Sequence, residues 1–504
     1  MALQLGPILQ FRGVHDQHWA VSALVVVKSG EAVPPIAIHG HAQLLGKARI
    51  ACVPFRNPTS DVYRIDLRAP LGGGQVRLNV GEASASFHVP VEGASPRCAF
   101  TSCNGFSDPK LMKQVANKHE RWQHLQGRHH AEPYHLLIMG GDQVYSDAMW
   151  QVLPSLKNWT DKSLDARTQA AFTARMAQEL DRFFCELYLS RWQQPEVQAM
   201  LAAIPTVMMW DDHDIFDGWG SYPDDLHQSP VYQGIFGIAR DYFRVFQQQL
   251  GSADRHPAAL PVQPAFNLGF SNLGKLGLLV LDLRSERQPD LQLETGFAPC
   301  QIISPASWDA IYDWLDQQPK GTLQHLLVVS SIPVAYLDLG LLEKLLACLP
   351  GQQELEDDLR DHWRSIPHQQ ERLRLVHRLL KFAADKDCRV SLLSGDVHVG
   401  ALAVIESDRQ ASCNAAVINQ FISSGIVHPG PPGLVRYVLE SIADKPEQID
   451  RGIRATMQQI GPRGSHLLGA RNWLAIEPTA DGRLWMNWHL EGESNPLTKV
   501  VHPA

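Results

Sequence analysis

The sequence predicts an α/β domain preceded by a β-rich segment, and two features of the chain carry that prediction. Residues 1–95 contain short runs rich in valine and isoleucine, which turn residues such as VPP and LGGG separate. From residue 96 onward, apolar strand-like runs alternate with helical segments, a pattern typical of an α/β sheet. We therefore expect a β-sandwich domain over 1–95 and a second domain over 96–504.

The elements of the second domain can be assigned in order from their patterns. A helical insertion is expected over about 150–203, and ERLRLVHRLLKFAADKD places Leu373, Val376, Leu379 and Leu380 on one helical face. The run NWLAIEPTADGRLWMNWHL predicts a hairpin around an Asp-Gly turn. Buried strands are expected in CAFTSC, HLLIMGG, IPTVMMW, KLGLLVLDL, HLLVVSSIPV and CRVSLLSGDVH.

Composition excludes several classes of protein. The chain has 504 residues, of which 44% are apolar and 19% charged, and this balance is globular rather than disordered. Its net charge of −8 argues against nucleic acid as the main partner, and no nucleic-acid-binding domain is evident. No apolar run approaches the length of a membrane span, and the start shows no signal peptide, so we expect a cytoplasmic protein. The eight cysteines form no CxxC pair and are expected to be free thiols.

Acidic, histidine and tyrosine residues follow the ends of several predicted strands. Because ligands bind beyond the carboxyl ends of the strands in open α/β sheets, we expect these side chains to meet at one place. The segments are CAFTSCNG, HLLIMGGDQVY, IPTVMMWDDHD and VSLLSGDVH, which carry Cys103, Asn104, Asp142, Tyr145, Asp211, Asp212, His213, Asp214, Asp396 and His398.

This set of residue types favours metal binding. Carboxylates without a lysine or arginine beside them repel one another, and metal cations relieve that repulsion. Imidazole, carboxylate, phenolate and thiolate ligands together favour iron, manganese or zinc, and two ions would activate a water for an in-line displacement. Taken singly, each segment has a simpler interpretation: GGDQVY as a capped turn, DDHD as a solvated turn, Cys103 as a small buried residue and Tyr145 as a core residue.

Other motifs in the chain do not support a different chemistry. GFSNLGK has the spacing of a P-loop, but Leu276 stands where serine or threonine would bind Mg²⁺, so a hairpin loop is expected there. The sequence contains no GxSxG, which disfavours a serine hydrolase. Arg284 and Arg287 follow a strand in DLRSER, either as a phosphate clamp or, in the simpler interpretation, in structural ion pairs.

Together, SCNG, GGDQVY, WDDHD and SGDVH resemble the motifs of the PhoD-like (alkaline phosphatase D) metallophosphatases, which belong to the calcineurin-like metallophosphoesterase superfamily. The resemblance covers residues 97–430 in motif order. It implies a four-layer αββα sandwich with a binuclear metal centre.

The resemblance also implies a role for individual residues. Asp142 would bridge both ions, and Cys103, Tyr145 and His398 would complete a first site for Fe³⁺. Asp212 and Asp396 would hold the second ion, for which Ca²⁺ is suited, with Mn²⁺ or Zn²⁺ as other choices. His213 would face the leaving group as general acid or phosphate stabiliser.

The expected function is a metal-dependent phosphoric ester hydrolase that uses a metal-activated hydroxide on a small or polymeric phosphate ester. Monoester and diester substrates are both open, and the oligomeric state is not predicted. One alternative is a metal-binding module without catalysis that recognises a partner through the β-sandwich. Another is a di-metal hydrolase that acts on a substrate without phosphorus.

Overall fold

The structure is a computed structural model that describes residues 3–289, 291–293, 296–298, 301–337, 363, 368–410, 416–461 and 464–504. Two large sheets of ten and nine strands form its centre. Side chains from both sheets, such as Phe100 of the first and Leu327 of the second, share one apolar core. Cys300, Cys348 and Cys413 lie outside the described residues, and the five cysteines within them are free thiols, as predicted.

The ten-stranded sheet has the order β24-β23-β22-β8-β9-β10-β1-β2-β5-β4. Strands β8, β9 and β10 run parallel in its middle, and the predicted hairpin forms β22 and β23. The strands are β1 (Leu5–His15), β2 (His18–Lys28), β4 (Gln43–Val53), β5 (Ser60–Pro70), β8 (Cys98–Thr101), β9 (Leu136–Gly140), β10 (Thr206–Met209), β22 (Asn472–Pro478), β23 (Leu484–Leu490) and β24 (Leu497–Val501).

The nine-stranded sheet has the order β11-β12-β15-β16-β18-β17-β20-β19, with β21 paired to β17. In GFSNLGK, residues 269–273 belong to β11 and Gly274 and Lys275 form the turn to β12, so the predicted hairpin is confirmed. The strands are β11 (Leu268–Leu273), β12 (Leu276–Val280), β15 (His325–Val329), β16 (Arg389–Ser394), β17 (Gly400–Ser407), β18 (Val417–Ser423), β19 (Glu447–Asp450), β20 (Ile453–Met457) and β21 (Leu467–Leu468). Two small sheets comprise β3 (Ile36–His39), β6 (Gly74–Val80) and β7 (Ala83–Val89), and β13 (Leu291–Leu293) with β14 (Gly296–Ala298).

Helices cover the outer faces of both sheets, which gives the four-layer αββα arrangement. Helices α2 and α7 contact β22 and β1, whereas α11 contacts β16 and β18. The helices are α1 (Pro109–Gln114), α2 (Glu120–Ala131), α3 (Met149–Val152), α4 (Pro154–Thr160), α5 (Leu164–Gln169), α6 (Ala174–Trp192), α7 (Pro195–Leu201), α8 (Asp224–His227), α9 (Pro230–Tyr242), α10 (Pro305–Gln317), α11 (Gln369–Lys386) and α12 (Gly433–Ala443). A π-helical turn, Phe243–Gln247, extends α9.

The central strands of the second sheet are apolar on both faces because both faces are covered. In β12, Leu278 and Val280 face the core between the sheets, whereas Leu279 packs into a second core with Trp308 of α10 and Leu375 of α11. Continuous apolar runs such as KLGLLVLDL are therefore required by this layer order.

Hydrogen bonds join the N-terminal strands to the middle of the ten-stranded sheet. Strand β1 pairs parallel with β10 through Gln10 and Thr206, so one sheet of the N-terminal segment continues the ten-stranded sheet. The small sheet of β3, β6 and β7 packs on it through contacts between β7 and β1. The domain boundary near residue 95 stays a prediction.

Candidate metal centre

The ends of four strands bring the predicted ligands together. Cys103, Asp142 and Asp212 follow β8, β9 and β10, which are parallel neighbours, while Asp396 and His398 follow β16 of the facing sheet. Backbone bonds tie these loops to one another, since Cys103 N donates to Gly141 O at 3.2 Å. The carboxyl ends of strands from both sheets therefore meet at one place, where Cys103, Asp142 and Asp212 are buried and Asp396 and His398 are half-buried, as the strand pattern predicts.

Asp142 lies at the centre of the first group of side chains. The Cys103 thiol donates to Asp142 Oδ2 at 3.3 Å, and the Tyr145 hydroxyl lies 3.5 Å from the same oxygen. A carboxylate oxygen of Asp142, one of Asp212 and a ring nitrogen of His213 all lie within 4.8 Å of one another. This spacing would allow a single cation to contact several of them.

A second group adjoins the first and consists of carboxylates. Oxygens of Asp211, Asp212 and Asp396 lie within 4.8 Å of one another. Asp212 belongs to both groups, so the two sets of ligand atoms lie side by side and have one residue in common. Two neighbouring cation positions would fit this arrangement.

The argument for metal binding from the sequence assumed carboxylates without a lysine or arginine beside them, and for Asp211 and Asp212 that assumption is wrong. The fully buried Arg284 forms an ion pair with Asp211, and its Nη2 lies 3.5 Å from Asp212 Oδ1. Arg284 Nη1 also donates to Trp219 O at 2.8 Å, so the simpler interpretation of this residue, a structural ion pair, is confirmed. Its position depends on the turn after β12, where Arg284 N donates to Asp282 Oδ1 at 3.1 Å.

The backbone is in an unfavourable conformation at four of the predicted ligands. Eight residues other than glycine have positive φ in the described part of the chain, and four of them are Cys103 (53°), Asp142 (55°), Asp396 (67°) and His398 (53°). Left-handed backbone in such residues is uncommon and gathers at functional sites, where the surrounding structure enforces it. The coincidence therefore marks this place independently of the side-chain types.

Burial makes the charged form of Asp142 costly. Burial raises the pKa of the Asp142 carboxyl well above its usual range; His213 opposes this shift, whereas Asp212 adds to it. Burial also raises the pKa values of the Cys103 thiol and the Tyr145 phenol, and Asp142 contributes to both shifts. A bound cation would reverse these shifts, because it stabilises carboxylate, thiolate and phenolate together.

Several buried ligand atoms have no hydrogen-bond partner among the described residues. Among the predicted ligands they include Asp142 Oδ1 and His398 Nδ1, and His428 Nε2, on a ring stacked against His398, is another such atom. Burial lowers the pKa of His398 well below its usual value and that of His428 to about 4, so both rings are neutral. Neutral imidazole is the form that binds metals. The residues present therefore fit a metal centre.

His213 is held by a residue that the sequence analysis did not single out. His213 Nδ1 lies 2.8 Å from Asp147 Oδ2, and Asp147 Oδ1 accepts from Asp217 N at 2.8 Å. The His213 ring stacks on Tyr145 with a centroid distance of 4.3 Å. Burial lowers the pKa of His213, but Asp147 and Asp212 outweigh it, and the net shift is well upward.

Two more residues of the centre were missed. His428 follows β18, and its ring centroid lies 3.6 Å from that of His398 and 5.9 Å from that of Tyr145. The pattern of a strand followed by histidine, in FISSGIVH, could have indicated it. Arg191 of α6 packs beside Tyr145: a Cβ atom at Gly105 would lie 2.2 Å from Tyr145 Cδ2 and 3.0 Å from Arg191 Nη2. No sequence pattern indicated Arg191.

Asp214 and Asn104 lie beside the candidate metal centre, and their hydrogen bonds fix the loops that carry the predicted ligands. Asp214 accepts from Asp211 N at 2.9 Å, from Gln143 N at 3.1 Å and from Gln247 Nε2 at 2.8 Å. Asn104 Oδ1 accepts from Trp122 Nε1 at 3.0 Å. Both side chains are used in positioning.

A family model described as PhoD related phosphatase matches residues 93–349 and 328–460. The chain belongs to the PhoD-related phosphatase family. The match to this family confirms the resemblance stated from the motifs. All six predicted metal ligands and His213 lie within the matched residues.

Individual proteins and solved structures are also similar to this chain. An uncharacterized protein of Saccharomyces cerevisiae is 27% identical over 460 residues, covering 75% of this chain. The chain spans 64% of the length of that relative. A solved structure of PhoD is similar over 98% of this chain and 88% of its own, with 13% identity and a TM-score of 0.58, which supports the αββα fold. The structure of a purple acid phosphatase from yellow lupin seeds is similar over 98% of this chain and 73% of its own, at 11% identity and a TM-score of 0.48.

Among the described helices, none is long and apolar enough to cross a membrane.

Proposed function

We propose that this member of the PhoD-related family is a metal-dependent phosphoric ester hydrolase with a binuclear centre. The observation that carries the proposal is the buried Asp142, which has an oxygen without a hydrogen-bond partner among the described residues and is surrounded by Cys103, Tyr145, His213 and Asp212. Family membership supports a phosphate ester as substrate. Either small or polymeric esters, and either monoesters or diesters, suit this proposal.

In this proposal, Asp142 would contribute a carboxylate to both ion sites. Cys103, Tyr145 and His398 would complete a site for Fe³⁺, and Asp212 with Asp396 would hold Ca²⁺, or Mn²⁺ or Zn²⁺ in its place. The ions supply Lewis acidity and neutralise negative charge at phosphorus. His428, with a neutral ring stacked on His398, is a further candidate ligand beyond the set expected from the sequence.

His213 serves as the general acid. Asp147 contacts Nδ1, so Nε2 is left to hold the proton that a departing alkoxide takes up. The stacking on Tyr145 fixes the plane of the ring. Asp147 and Tyr145 together fix the orientation of the His213 ring, so the proton on Nε2 points in one direction.

Arg191 gives the helical insertion a role at the substrate. Its guanidinium packs against Gly105 beside Tyr145, and no hydrogen bond or ion pair of that side chain is found among the described residues. Burial lowers its pKa to about 10, so it remains a cation at neutral pH. We assign to it the binding of an anionic oxygen of the substrate, with α6 forming one wall of the entrance.

The test combines metal analysis with hydrolysis of nitrophenyl phosphate and bis-nitrophenyl phosphate. We expect iron with a tyrosinate absorption band that Tyr145→Phe abolishes, and hydrolysis that His213→Ala lowers about 100-fold or more without loss of metal. Protein that stays metal-free and inactive after addition of iron, calcium, manganese or zinc would overturn the proposal and favour a non-catalytic module. Metal-dependent activity that neither phosphate nor vanadate inhibits would favour a substrate without phosphorus.

Arg191→Gln gives a separate test of the substrate wall. We expect a KM raised about tenfold with unchanged metal content, because one charged hydrogen bond to the substrate is lost. Arg182→Gln is the matched control, since Arg182 lies exposed on the same helix. Equal KM values for the two variants would remove Arg191 from the substrate site. The expected cytoplasmic location stays a prediction.

A further inference from the structure

A cavity of about 460 Å³ lies between α9, the π-helical turn and the segment 250–268. None of the residues assigned to the candidate metal centre lines it. Its volume is within the range of pockets that bind small organic molecules. The cavity is therefore a separate place to examine for ligand binding.

Three arginines, Arg240, Arg244 and Arg255, line the cavity. Arg240 and Arg244 each have a nitrogen that donates to no described residue. Arg240 Nη2 donates to Pro264 O at 3.0 Å, and Arg244 Nη2 donates to Asp241 Oδ1 at 3.2 Å. Arg240 Nε and Arg244 Nη1 are buried and have no hydrogen-bond partner in the described part of the chain. Buried donors of this kind are costly unless a ligand or water accepts from them.

The acidic residues of the wall do not balance these cations. Asp254 is already paired with Arg64, whose Nη1 lies 2.7 Å from its Oδ2, and it accepts from Gly251 N at 2.9 Å. Asp241 is about half exposed, with 52% of its side chain accessible, so its attraction for Arg244 is weakened by solvent. Positive charge therefore exceeds negative charge on the wall.

The remainder of the wall is apolar and partly aromatic. Phe236, Phe266 and Leu250 line it, and the Arg240 guanidinium lies 5.6 Å from the centroid of the Phe266 ring. This contact holds Arg240 over the ring, with Nε and Nη2 in a fixed plane. The wall thus combines an apolar surface with two oriented guanidinium groups.

We propose that this cavity binds a small organic phosphate, with its phosphate group at Arg240 and Arg244 and its apolar or aromatic body against Phe266. Two guanidinium groups match the double negative charge of a phosphate monoester. The site is distinct from the candidate metal centre, so the inference does not depend on the proposed hydrolase activity.

Calorimetric titration with adenosine 5′-monophosphate tests the proposal, with adenosine and inorganic phosphate as the two partial probes. The titration uses His213→Ala protein, so that the probe is not consumed. Combining Arg240→Gln with Arg244→Gln should lower the affinity for the monophosphate about tenfold or more. The charge-matched control, Arg175→Gln with Arg182→Gln on the exposed side of α6, should leave the affinity unchanged.

Each other outcome has a defined meaning. The inference is overturned if the Arg240 and Arg244 double variant binds adenosine 5′-monophosphate as tightly as the control, because the probe would then bind at the metal centre. It is also overturned if the protein binds no probe at millimolar concentration. If the double variant does not fold, the single variant Arg244→Gln replaces it, because Asp241, the partner of Arg244, is half exposed and the fold depends little on that pair. An affinity for the monophosphate lowered about threefold or more would support the site, and an unchanged affinity would refute it.

Discussion

Gly105, within the SCNG motif, allows the Tyr145 ring to lie where the proposed metal centre needs it. A Cβ atom at Gly105 would lie 2.2 Å from Tyr145 Cδ2, whereas ordinary contact begins at 3.4 Å, so Gly105→Ala must push the ring by about 1 Å. The ring cannot retreat freely, because it stacks on His213 at 4.3 Å. The φ angle of Gly105 is not in the positive range, so the effect of alanine is steric.

The size of the effect follows from that displacement. A misplacement of about 1 Å at a reacting centre lowers activity about 100-fold, and forced overpacking lowers the free energy of unfolding by about 1–3 kcal/mol. The readouts are kcat on nitrophenyl phosphate, the tyrosinate absorption band and urea denaturation. We expect the band to weaken or shift together with kcat, because both depend on the position of the Tyr145 oxygen.

Gly127→Ala is the matched control. Gly127 lies exposed in α2, and a Cβ atom there would meet nothing within 4 Å. Alanine in the helix interior should raise the free energy of unfolding by about 0.5–1 kcal/mol and leave kcat unchanged. If Gly105→Ala retains the absorption band and the kcat of the control, the packing argument for Tyr145 is refuted.

Three further predictions concern the support of the centre. Asp147→Asn keeps the shape but removes the charge beside His213, so kcat should fall about 10- to 100-fold at constant metal content by elemental analysis; full activity would exclude orientation by Asp147. Asp214→Ala deprives the backbone N–H groups of Gln143 and Val144 of their acceptor, and urea denaturation should show about 3 kcal/mol less stability; a change below about 1 kcal/mol would contradict this. Removal of metal by a chelator should lower the melting temperature, because the buried carboxylates then repel one another; an unchanged melting temperature would argue against bound metal.

Local patterns sufficed to predict the fold class and the region of the site. The apolar runs before Asp142, Asp212 and Asp396 predict where each strand lies, and the acidic residue that follows shows which side chain stands at its carboxyl end. Parallel neighbours align those ends, so the meeting of the loops followed from the predicted sheet. The specific roles of the ligands came from the family resemblance and stay proposals.

The sequence by itself determined the alternation of strands and helices, the acid and histidine residues at strand ends, and membership of a phosphatase family. Only the tertiary structure decided that Arg284 neutralises Asp211, that Asp147 orients His213 and that Arg191 reaches Tyr145. It also decided that β1 pairs with β10, which joins the N-terminal strands to the larger sheet. The physical reason is distance along the chain: hydrophobic periodicity reports which face of an element is buried, whereas contacts between remote segments depend on how those faces pack.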